Sequence, residues 1–242
     1  MLRHSSALAC LTALALFSGE SAASGLQVSP ISLALQQNQR AEGLWLSNSG
    51  DSPVNAQVRV FHWRQSGYSD QLSSSQGLVI SPPMLNIPPG GKQLIRVIRT
   101  GPPTKVEDAY RLSINERPPS TTNTTKKNSL QFVMHYSIPV FIQPPGATET
   151  LAKLQWQVAH SDGRTWLQVN NQGDGHAQLA EVTLITASGS RKNITPGLLG
   201  YVLPGSTMRW PLPASAGQGE KLEVTVNGQK TGNWAIGPSK PM

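Results

Sequence analysis

The stretch NSLQFVMHYSIPVFIQPPG, residues 128–146, decides how this chain is read. Every second residue from Leu130 is apolar: Leu130, Phe132, Met134, Tyr136 and Ile138. Between them lie Gln131, Val133, His135, Ser137 and Pro139. Strand side chains point alternately to opposite faces, so this period of two predicts a strand over 129–142 with one apolar face and one mostly polar. No Asp, Glu, Lys or Arg interrupts it from Asn128 to Gly146. An apolar strand face usually enters its own core, but an edge strand without charges is also a template for another chain. The pattern alone leaves both destinations open.

Outward from this strand, the chain is a series of short β-like runs. Strands are expected at Leu26–Leu35, Ala41–Ser47, Val54–Trp63, Gln93–Arg99 and Tyr110–Glu116. Turn-rich breaks at 47–53, 81–91 and 100–103 separate them, a spacing that predicts a sandwich of about seven strands. On the other side, QPPGATET (143–150) carries paired prolines that stop a ladder. The pattern restarts at Leu151, with strands expected at Leu154–Ala159, Thr165–Asn170, Leu179–Ala187, Thr207–Pro211 and Lys221–Val226. With 22 Gly, 19 Pro and no sustained helical period, the chain reads as all-β. Two β-sandwich domains are expected at 25–143 and 151–236, joined by a linker at 144–150 and followed by a tail at 237–242.

Residues 1–24 read as processing rather than fold. Arg3 and His4 precede an apolar run from Ala7 to Phe17, and Ser21, Ala22, Ala23 and Ser24 are small, the layout of a secretory signal peptide. The run is too short for a bilayer core of roughly 30 Å, so no stable membrane insertion is expected. The only cysteine, Cys10, lies inside this run, where lipoprotein cleavage would cut the apolar core. Exported without a cysteine, the remaining chain must rely on packing instead of disulfides. Its net charge of +7 is scattered, densest at Lys126–Lys127, and reads as a solvated basic surface. Nucleic acid is not an expected partner.

Catalytic patterns are missing. His62, His135, His160 and His176 fit no HExxH or similar metal spacing, the few carboxylates are dispersed, and no GxSxG elbow occurs. The reading is of a non-enzyme without cofactor, metal or small-molecule substrate.

Several stretches together resemble the periplasmic chaperones of chaperone–usher pilus assembly. SNSGDSPVNAQVRVFHW (47–63), ISPPMLNIPPGGKQLIRVIR (80–99), YRLSINERPP (110–119) and LLGYVLPGSTMRWPLP (198–213) occur in the family's order. SIPVFIQP (137–144) is most similar to the archaic branch associated with Csu-type and spore-coat-U-type pili. The resemblance implies two immunoglobulin-like domains set in an L. It implies a role in the periplasm, where pilin subunits are bound, folded, capped and delivered to an outer-membrane usher. The subunit would be capped by donation of the strand over 128–142, with Leu130, Phe132, Met134, Tyr136 and Ile138 as its apolar residues, the last two nearer the cleft between the domains. A secreted structural adhesin or pilin of the same fold is the alternative.

The best-known members anchor the subunit's C-terminal carboxylate with two basic residues, where this chain has Ser32 and Pro139. Their inter-domain ion pairs also look incomplete, because Glu116 is present but Gln143 stands in place of an arginine. The charge must then come from elsewhere. Strands 110–116 and 129–142, joined by a loop, should pair antiparallel and bring Arg111 beside Pro139. Arg111 is the expected anchor, with Arg96 in reserve.

Overall fold

A computed structural model describes residues 25–36, 38–117, 133–147, 149–186, 188–213 and 220–235. The described residues form strands and turns without a helix, so among them no helix is long and apolar enough to cross a membrane. The first ten strands are β1 (Leu26–Ser29), β2 (Leu33–Leu35), β3 (Ala41–Asn48), β4 (Val54–Ser66), β5 (Ser69–Ser74), β6 (Leu78–Ser81), β7 (Met84–Ile87), β8 (Lys92–Arg99), β9 (Asp108–Arg117) and β10 (His135–Ile142). They build two facing sheets, one in the order β1-β3-β8-β6 and the other β2-β10-β9-β4-β5, with β7 also paired to β4. Alternate residues meet between them: Leu44, Leu46, Ile95 and Val97 from one sheet, Val58, Leu112, Ile114 and Val140 from the other, all almost fully buried.

The remaining strands are β11 (Leu154–Ser161), β12 (Arg164–Asn171), β13 (Ala177–Ile185), β14 (Arg191–Val202), β15 (Thr207–Leu212), β16 (Lys221–Val226) and β17 (Gln229–Ala235). They form a second sandwich, β11-β12-β15 against β14-β13-β16-β17, around Val158, Leu167, Val169, Leu179, Val182 and Leu222.

Three differences from the sequence reading have local causes. The run Leu26–Leu35 is two strands: β1 pairs with β3 and β2 with β10, in different sheets. The crossing falls at Pro30, which has no N–H to continue a ladder. The break expected at 81–91 contains β7. And β5, β6, β14 and β17 were not expected as strands. SDQLSS of β5 is exposed throughout and carries no apolar alternation. Its turn has Gly67 and Tyr68 both at positive φ, 58° and 62°, the conformation that suits a two-residue hairpin. The same geometry recurs at Asn227–Gly228, φ 50° and 78°, where Asn-Gly was a legible hairpin signal.

The two sandwiches also repeat one another in a way the sequence reading passed over. NSGD (48–51) and NQGD (171–174) each follow a strand that lies between the same two neighbours, β1-β3-β8 in one domain and β11-β12-β15 in the other. Asn48, 1% exposed, donates its amide to the carbonyls of Ser52 and Ile87 and accepts from Gly50 N–H. Asn171, 0% exposed, donates to the carbonyls of Gly175 and Val202 and accepts from Gly173 N–H. The loops they tie down, IPPGG (87–91) and VLPGS (202–206), both turn on a glycine at positive φ, Gly90 at 67° and Gly205 at 70°. One buried asparagine in each domain therefore satisfies the polar groups of two loops that would otherwise face an apolar core.

Candidate functional site

The quoted stretch has two fates. Toward its C-terminal end, β10 is committed to this protein. Ile138, Val140 and Ile142 enter the first core and are 4%, 0% and 3% exposed. The expected donor residue Ile138 is thus corrected to a core residue: its side chain lies between the protein's own sheets and is not free for a partner. Tyr136 is half-buried against the same core and donates its hydroxyl to the Leu26 carbonyl, 2.6 Å, in the facing sheet. Burial, with the Glu116 carboxylate second, raises its pKa.

Toward its N-terminal end, β10 is bare. β9 runs along one side with His135 opposite Asn115 and Ile142 opposite Asp108. On the other side β2 pairs only with Val140, Phe141 and Ile142. Among the described residues nothing pairs with that edge from His135 to Ser137. The pairing with β9 continues one residue further, where Met134 N–H donates to the Glu116 carboxylate and Met134 carbonyl accepts from Glu116 N–H. Met134 is half-buried and Val133 is 48% exposed. Leu130 and Phe132 lie outside the described residues.

Below the bare edge, the register places Phe61, Arg111 and Pro139 in one row across β4, β9 and β10. Ser32 precedes the Leu33–Val140 pair and stands at the same level. The antiparallel pairing expected from the sequence does bring Arg111 beside Pro139. Its guanidinium carbon sits 3.7 Å from the Trp63 ring centre and 5.0 Å from that of Tyr201 in the second domain. Burial lowers its pKa, while Tyr201 and Asp70 favour the charged form. Among the described residues no carboxylate lies within 4 Å of it. A guanidinium remains protonated regardless, so this is a half-buried cation on aromatic faces without an ion-pair partner. Arg96 is not an alternative: it is exposed on β8, opposite Gly43 and Ser81, in the sheet that does not contain β10. It belongs to neither neighbour of Pro139.

The junction between the domains uses residues that sequence reasoning missed. Trp63, Ala109 and Phe141 of the first domain meet Tyr201 and Leu203 of the second in a separate buried cluster. The Gln65 side-chain amide clips onto the strand end opposite, donating to the Tyr201 carbonyl, 2.9 Å, and accepting from Leu203 N–H, 2.8 Å. Glu107, 6% exposed, accepts from His176 N–H, from His176 Nδ1 at 2.7 Å and from the Thr150 hydroxyl. The His176 ring stacks on Phe141, centroids 3.5 Å apart. Glu116, expected from the resemblance to serve this junction, is at the opposite end of β9, eight residues from Asp108 and so about 26 Å away at roughly 3.3 Å per residue. Glu107 takes the place that Glu116 was expected to fill. No pattern in the sequence marks Glu107, because its partners come from the linker and from a loop some seventy positions on.

Next to this row a concavity of about 1060 Å³ is lined by residues of both domains, among them His62, Asp108, Tyr110 and Ser206. Among the described residues, no three His, Cys, Asp or Glu side chains gather as metal ligands.

Solved structures share this architecture. The chaperone–tip subunit complex CsuC–CsuE of archaic Csu pili, from Acinetobacter baumannii, is 25% identical with a TM-score of 0.67, covering 90% of this chain and 99% of that one. The CupB2 chaperone of Pseudomonas aeruginosa is 21% identical, TM-score 0.60, covering 87% and 100%. The structure of the SafA pilin with the SafB chaperone from Salmonella enterica is 18% identical, TM-score 0.63, covering 88% and 97%; these last two show likeness of fold. No curated protein sequence matches the chain. Residues 25–148, just over half of the 242, match the pili and flagellar-assembly chaperone family through its PapD N-terminal domain, and the chain belongs to that family.

Proposed function

We propose that this protein is a periplasmic chaperone that captures pilin subunits along the bare edge of β10 and passes them to an outer-membrane usher. The observation that carries the reading is that edge, unpaired from His135 to Ser137 among the described residues and preceded in sequence by the apolar Leu130, Phe132 and Met134. A pilin lacking one strand offers unpaired backbone groups and a groove, and an added strand supplies hydrogen bonds and fills pockets with alternate side chains. In this reading Leu130, Phe132 and Met134 enter the subunit, while Tyr136 and Ile138 hold the strand to the chaperone's own core. Pro139 marks the end of the usable edge, since it has no N–H to offer. Arg111 then meets the subunit's C-terminal carboxylate and sets the register, which a slip of one residue would invert.

The test is a pair of charge substitutions on one strand. Met134→Asp, and Phe132→Asp beside it, should leave the chaperone folded and lower subunit recovery on co-expression by at least tenfold, because each apolar side chain buried in a partner contributes roughly 1.5–3 kcal/mol. Ile138→Asp should unfold the first domain instead. Full subunit recovery by Met134→Asp and Phe132→Asp chaperones would sink the donor assignment.

A further inference from the structure

We propose that the carboxylate anchor is a two-domain site, in which Tyr201 of the second domain positions Arg111 of the first. The inference rests on the reading of Arg111 given above. Arg111 leaves β9 on the outer face of its sheet, where β10 and β4 neighbours alone would allow its long side chain several rotamers. Two rings restrict it: Trp63, 3.7 Å from the guanidinium carbon, and Tyr201, 5.0 Å away. The rings themselves meet edge to face, centroids 5.3 Å apart at 80°, and so make a corner instead of a flat wall. Stacking uses the faces of the planar guanidinium and leaves its fork of N–H donors free for a bidentate carboxylate.

Tyr201 is itself held. Its hydroxyl accepts from the Gln178 amide, 2.8 Å, and its backbone carbonyl and Leu203 N–H are clipped by Gln65. Gln65 in turn shares Asp70 with the Trp63 indole, each donating at 2.9 Å. The chain of contacts runs from Trp63 through Asp70 and Gln65 to Tyr201, so both walls of the corner move together. The second domain is then more than a neighbour of the anchor, because one wall of the corner is absent until the domains dock.

The experiment measures affinity for two synthetic peptides of the last strand of the pilin that co-purifies with the chain, one ending in a free carboxylate and one in an amide. Wild type and Tyr201→Phe should prefer the carboxylate by about tenfold, the scale of a charge-assisted contact in a partly desolvated site. Tyr201→Leu, which keeps apolar bulk and removes the π face, should lose most of that preference, with the loss falling on the carboxylate peptide. No preference in wild type would defeat the Arg111 reading itself. A preference retained by Tyr201→Leu would overturn the role of Tyr201 and leave Arg111 standing. Should that variant fail to fold, Gln65→Ala cuts the clip while keeping both rings: a reduced preference supports the coupling and an unchanged one overturns it.

Discussion

Tyr110 shows how much one side chain can tie together below the bare edge. It is 4% exposed, packs its hydroxyl where any side chain at Gly77 would collide, and donates to Asp108 Oδ2 at 2.7 Å. Asp108 also meets His62 Nε2 at 2.7 Å. Burial first, then the bond and the charge of Asp108, push the Tyr110 pKa far above the ordinary value. A phenol favoured as neutral in the folded state contributes stability that is complete below the unfolded pKa near 10 and is lost as pH rises toward the folded value. Tyr110→Phe should therefore cost about 1.5–3 kcal/mol at neutral pH, the worth of a hydrogen bond to a charged group. Above pH 10 wild type should lose stability more steeply than the variant, so the two unfolding curves converge. Parallel curves up to pH 12 would show that Tyr110 does not ionise differently on folding.

At the scale of elements, the duplicated asparagine loops make a prediction that separates the domains. Asn48→Ala strands the carbonyls of Ser52 and Ile87, and Asn171→Ala strands those of Gly175 and Val202. Each unsatisfied buried group costs about 1–3 kcal/mol, so each variant should lower the unfolding midpoint of its own domain and spare the other, as hydrogen exchange resolved by domain can read. Loss of protection in both domains from either variant would mean that the sandwiches unfold as one unit. These loops also show what was legible. Strands with apolar alternation, such as β4 and β9, were found within a few residues, because a period of two is written locally. β5 was not, since its stability comes from a tight turn and from β4 beside it rather than from burial of its own. The pairing of β9 with β10 was legible from connectivity, which set Arg111 opposite Pro139 as observed. The point at which the strand turns into its own core was not: nothing in the alternation of residues 130–138 distinguishes Met134 from Ile138, and only the facing sheet decides which of them is core.

For the whole molecule, the question is what holds the two sandwiches at the angle on which the Arg111 corner depends. The paired prolines of the linker suggested a stiff elbow. The geometry points more strongly to Glu107. Its carboxylate joins the segment before β9 to the linker through Thr150 and to the second domain through His176, and its own N–H donates to the Asp174 carbonyl. His176 lies flat on Phe141, the residue at which β10 passes under the second domain. Glu107→Ala would leave the backbone N–H of His176 without its acceptor and remove the contact that keeps its ring in place. Neither core includes Glu107, so both sandwiches should keep their own protection against hydrogen exchange. The loss should fall on docking instead: small-angle scattering should report a larger and more variable separation, and subunit recovery should drop. Substituting Pro144 and Pro145 by Gly should change the scattering less, because the clasp survives in that variant. A Glu107→Ala profile superimposable on wild type, with the proline variant the looser of the two, would return control of the angle to the linker.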